Sequence, residues 1–138
     1  MAFVVGIVLA SCIGAFGSLV RLDRDRAFYP TIMIVIALLY ALFAAIGGST
    51  RALALEAIPI FAFILASVLG FKRSLWFVVG ALVAHGLFDA VHGHLISNPG
   101  VPAWWPAFCL AYDVVAGLYL AWLLKSNRVP AHNGGNSR

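Results

Sequence analysis

The chain has 138 residues, of which 63% are hydrophobic and only 10% charged, a balance outside the range of soluble domains. Such a composition leaves no room for a separate aqueous domain, and the net charge of +4 follows the ends of apolar segments rather than forming a nucleic-acid footprint.

Crossing a hydrocarbon core of roughly 30 Å takes about 20 mainly apolar residues. Stretches of that kind occupy 3–20, 31–48, 52–71, 75–96 and 104–124. The sequence therefore predicts an all-α integral membrane bundle of about five transmembrane helices over residues 1–125, with a disordered cytoplasmic tail over 126–138. Basic residues near span ends stay in the cytoplasm. With the N-terminus outside and the C-terminus cytoplasmic, the inner side collects Arg21, Arg24, Arg26, Lys72, Arg73, Lys125, Arg128 and Arg138, and the outer side keeps only Arg51. Trp104 and Trp105 then mark the outer interface, and Trp76 and Trp122 the inner one. The expected location is a cell membrane, multi-pass, of the bacterial inner-membrane type.

In the first span, Gly6, Ala10, Gly14 and Gly17 form a smooth strip for close helix approach. Leu9-Ala10-Ser11-Cys12 has the form of a lipoprotein cleavage box, but no basic stretch precedes it and apolar residues run past it. Cys12 is therefore expected to be a small buried hydrophobe, as is Cys109 of the fifth span. The segment Arg21 to Arg26 reads as a solvated loop with internal ion pairs, and Pro30 as a helix-start residue. Pro59, in the third span, removes a backbone donor and frees the Leu55 carbonyl, which predicts a kink beside Glu56. A turn-rich stretch, Ser97 to Ala103, is too short to let the fourth and fifth spans part, so they must be antiparallel neighbours. Gly86 and Gly93 would admit a neighbouring helix.

Glu56, Asp89 and Asp113 fall inside spans that carry no Lys or Arg well within them. An ionised carboxylate in a bilayer costs several kcal/mol or more, so each needs a proton, an imidazole, a cation or a water-filled cavity. His85, Asp89 and His92 stand at i, i+4 and i+7, on one helix face, covering roughly 10 Å of depth; His94 points elsewhere. Asp113 lies level with His85, and Glu56 between the levels of Asp89 and His92. Tyr112 is a candidate phenol beside Asp113.

Three chemistries fit. Imidazoles and carboxylates bind divalent metals such as zinc or iron, with His85, Asp89 and His92 as ligands; a bound metal would activate water against a lipid ester or amide. Without a metal, Glu56, His85, Asp89 and Asp113 could act as acid and base on a lipid-like or other apolar substrate. The same groups could instead relay protons or cations. The inner half of the spans offers only scattered polarity, such as Ser67, whereas a transporter requires polar groups continuing to the cytoplasmic face. The sequence therefore favours an enzyme in contact with membrane lipid, with a proton-coupled or cation transporter, or a structural membrane protein, as the alternatives; homo-oligomerisation is compatible with each, and no nucleic-acid partner is expected.

The stretch H-G-L-F-D-A-V-H-G-H from His85, with N-P-G-V-P-A-W-W-P-A-F-C-L-A-Y-D ending at Asp113, resembles a small bacterial integral-membrane protein family of unknown function. The resemblance implies a compact helical membrane protein and brings no activity with it.

Overall fold

Apolar runs of this length bury no backbone polarity except by closing every hydrogen bond internally, and helices do so. The computed structural model describes residues 1–132, and within them the chain forms α1 (Ala2–Leu19), α2 (Phe28–Ile46), α3 (Thr50–Lys72), α4 (Trp76–Leu95) and α5 (Trp105–Lys125). All five are long and apolar enough to cross a membrane. α3 starts where Ser49 Oγ accepts from Ala52 N at 3.1 Å, a side-chain N-cap. Pro30 sits in the first turn of α2, where its missing N–H costs nothing. α3 runs unbroken through Pro59, and α2 ends at Gly47 with Gly48 at φ 63°, the left-handed turn that favours glycine.

α5 packs against α1 on one side and α4 on the other, while α3 packs against α4 and α2, and α2 also reaches α4. The small-residue strip is buried at Gly6, Ala10, Gly14 and Gly17: Gly6 lies against the Phe108 carbonyl and Gly14 against the Tyr119 ring of α5, whereas Gly17 lies against Phe28 of α2. Gly86 and Gly117 bring α4 and α5 equally close, whereas Gly93 faces open space. The outward faces carry Phe3, Phe16, Leu42, Ile58, Phe61 and Leu118, all exposed, as lipid-facing helices require.

Alternation of the helices gives the bundle two ends. One, the Asn98 end, carries Met1, the α2–α3 turn with Arg51, and the α4–α5 loop. The other, the basic end, carries Arg21, Arg24, Arg26, Lys72, Arg73, Lys125 and Arg128.

Three expectations change at this level. Cys12 is exposed on the outside of α1 and only Cys109 is buried, because α1 turns its glycine strip, not Cys12, toward α5. Residues 21–26 are more than a solvated loop: Leu22–Arg24 form a 3-10 turn, Asp23 is buried, and Arg26 donates to the carbonyls of Phe71 at 3.1 Å and Pro130 at 2.6 Å. The expected disordered tail is docked over 126–132, where Val129 is buried, Leu75 N donates to Ala131 O at 2.9 Å and the Arg128 guanidinium lies 4.5 Å over the Trp122 ring. Its remaining part, 133–138, lies outside the described residues.

Candidate functional site

α4 supplies the spine of the site. His85, Asp89 and His92 lie on its buried face, as the i, i+4, i+7 spacing requires, and His94 is exposed on the other side. Glu56 of α3 and Asp113 of α5 are both fully buried. The packing of α3 and α5 on either side of α4 thus brings all five expected residues into one interior region, but it sorts them into two groups.

The deeper group joins α4 to α5. His85 Nδ1 and Asp113 Oδ2 share a hydrogen bond of 2.8 Å, and the same nitrogen lies 3.2 Å from Asp89 Oδ2. A single N–H cannot serve both carboxylates well, and the geometry favours Asp113; Asp89 Oδ2 and Asp113 Oδ1 are buried without a hydrogen-bond partner. Asp89 Oδ1 instead accepts from the phenol of Tyr40. One ligand atom from each of His85, Asp89 and Asp113 can be chosen so that all lie within 4.8 Å of one another.

The shallower group lies toward the Asn98 end. His92 Nε2 is 2.7 Å from Glu56 Oε1, and Asn98 Nδ2 donates to that same oxygen at 2.9 Å and to the Tyr40 carbonyl at 3.1 Å. Glu56 Oε2 is a third buried carboxylate oxygen without a partner. His92, expected beside His85 and Asp89, lies instead with Glu56, which holds its ring nitrogen, and its ring is stacked on Tyr40 with centroids 4.1 Å apart. The third member of the deep group is Asp113.

No family model, no curated protein and no solved structure matches the chain. The chemistry of the site must be read from its own geometry. Glu56 and His85 face a common gap with Tyr40, Phe63 and Phe88 that nowhere admits a water-sized sphere. Phe63 closes it edge-on to the His85 ring, with centroids 4.8 Å apart. Above the shallower group, a pocket of about 270 Å³ opens between the end of α4 and the α4–α5 loop, lined by His92, Ser97, Asn98, Val101, Pro102 and Pro106. The site thus has a mouth at the Asn98 end and a dry floor around His85.

Two residues of the site were not legible as such. Tyr40 is a lone tyrosine in an apolar span, and only its burial shows that its hydroxyl faces inward; Tyr112, the expected phenol, packs against Phe108 instead. Asn98 reads as a turn former, yet its amide holds the α4–α5 loop to Glu56.

The half of the bundle toward the basic end is also more polar than its sequence suggested. Ser18 Oγ donates to Asp23 Oδ2 at 2.5 Å and lies 2.8 Å from Tyr119 OH, while the buried Tyr29 hydroxyl has no hydrogen-bond partner. Ser67 only bonds back to Phe63 O of its own helix. The missed signal lies in Tyr29 and Tyr119, whose phenols can donate and accept hydrogen bonds inside an otherwise apolar span.

Proposed function

We propose that the protein is a multi-pass membrane protein that transports a cation through its interior, with Glu56 and His92 receiving the ion at the Asn98 end and Asp89, His85 and Asp113 holding it at mid-depth. The observation that carries this reading is the presence of inward polar groups on both sides of the deep group: the buried Glu56 and His92 with part-buried Asn98 toward one end, and the buried Asp23 and Tyr29 with part-buried Ser18 and Tyr119 toward the other. A dead-ended catalytic pocket has no need of the second set.

Charge supports the same reading. Three buried carboxylates have imidazoles as their ion-pair partners, and two imidazoles cannot neutralise three carboxylates. A cation supplies the missing charge at a depth where an unpaired anion is costly. A lipid-directed hydrolase would need a cleft for an acyl chain beside His85, and the gap there nowhere admits a water-sized sphere; a small bare ion asks for much less. The basic end is assigned to the cytoplasm by its arginines and lysines, so the mouth faces outward.

Purified protein reconstituted in vesicles carrying proton-, zinc- or manganese-sensitive dyes tests the proposal. Flux above that of empty vesicles, abolished by Asp113→Asn and reduced by Glu56→Gln, is the expected result. Vesicles as tight as empty ones to all three ions would refute transport.

A further inference from the structure

We infer that the cation held at mid-depth is a divalent transition metal, and that its ligands are His85, Asp89 and Asp113. The inference rests on the transport reading for its purpose but on separate observations for its chemistry. The three ligand atoms come from two helices that pack closely, and they already lie within 4.8 Å of one another, so a metal at their centre requires only small side-chain adjustments. Gly86, packed against Leu110 and Asp113, is the residue that lets α5 come near enough. A Cβ there would lie 3.3 Å from the Asp113 Cβ.

The orphaned oxygens point the same way. Asp113 is fully buried and Asp89 is 1% exposed, yet each has a carboxylate oxygen with no hydrogen-bond partner. Buried polar atoms are rarely left so, and two on carboxylates that flank one imidazole nitrogen, at 3.2 Å for Asp89 Oδ2 and 2.8 Å for the other oxygen of Asp113, mark a place where a positive centre fits. One imidazole and two carboxylates form a nitrogen and oxygen donor set suited to Zn²⁺, Fe²⁺ or Mn²⁺. Asp89 is further oriented by the Tyr40 hydroxyl, as metal-ligating carboxylates usually are by an outer partner.

Full-length protein in detergent, loaded with Zn²⁺ and desalted, is expected to retain about one metal per chain by mass spectrometry, the ratio a single buried three-ligand site gives. Asp113→Asn and Asp89→Asn should weaken binding more than about tenfold, while His94→Gln, on the exposed side of α4, should leave it within a factor of about two. A metal-free wild type, an Asp113→Asn protein that binds as tightly as wild type, or a His94→Gln protein that loses as much as Asp113→Asn would each overturn the assignment. Should the aspartate variants fail to fold, pulsed electron paramagnetic resonance on the Mn²⁺-loaded wild type decides: coupling to one imidazole nitrogen supports the site, whereas coupling to two imidazoles or to none overturns it. Cation flux in vesicles without metal binding would leave transport standing and remove this inference; stoichiometric metal without flux would do the reverse.

Discussion

Tyr40 connects the two halves of the site. Its ring lies on His92 and its hydroxyl donates to Asp89, so a phenylalanine there keeps the packing and deletes one hydrogen bond to a buried carboxylate. Leaving such a group short of a donor costs about 1–3 kcal/mol. Tyr40→Phe should therefore lower the thermal midpoint of metal-free protein and weaken Zn²⁺ binding by about 10- to 100-fold, the usual effect of losing a ligand's outer hydrogen bond. Unchanged affinity by calorimetric titration would mean that the hydroxyl serves folding alone. At this scale the sequence was informative about charge and silent about partners. Glu56, His85, Asp89, His92 and Asp113 stood out because ionisable groups are rare in apolar spans, but which imidazole meets which carboxylate depends on helix rotation. His92 looked like a ligand partner of Asp89 from α4 alone, and Glu56 of α3 takes it away.

Helix contacts here are governed by backbone proximity. The loop after α4 crosses so close to α2 that a Cβ on Gly100 would overlap the Phe43 carbonyl, while Gly93, in the last turns of α4, has nothing near. Gly100→Ala should destabilise the protein by about 1–3 kcal/mol, the usual cost of forcing extra volume into a packed contact, and loosen the Asn98 latch. Gly93→Ala should be neutral or stabilising by up to about 1 kcal/mol, because alanine restricts the unfolded chain. Thermal scans of the two variants check the contrast, and equal midpoints would show that the loop does not rest on α2 in the membrane. Elements were the most legible level. Apolar runs broken by short polar segments set all five helices to within a few residues, since the length needed to cross lipid is itself nearly constant. The docking of residues 126–132 was not legible, because Val129 is an isolated apolar residue, and its burial goes with hydrogen bonds from Arg26 to Pro130 and from Leu75 to Ala131, both distant in sequence.

Across the whole molecule, charge is segregated by end. Arg51 is the single Lys or Arg at the Asn98 end among the described residues, and the others gather at the basic end. Retention of that end in the cytoplasm predicts that a reporter fused after Arg138 is active inside the cell, and that a cysteine introduced at Ser97 reacts with a membrane-impermeant thiol reagent from outside. The native Cys12 and Cys109 should first be replaced by serine or alanine. A reporter active outside would invert the topology and turn the mouth of the site inward.

What the sequence by itself determined is the class of the molecule, the number and bounds of its helices, and the small set of side chains able to bear charge at depth. Each follows from local quantities: hydropathy over a fixed length, helical periodicity along α4, and the cost of an isolated charge in lipid. Only the tertiary structure decided how those side chains divide between a deep group and a mouth, that Tyr40 and Asn98 complete them, and that polar groups continue toward the basic end. Those outcomes depend on how α3, α5 and α2 are rotated about α4, which is set by glycine-mediated contacts distant in sequence rather than by any property of a single span.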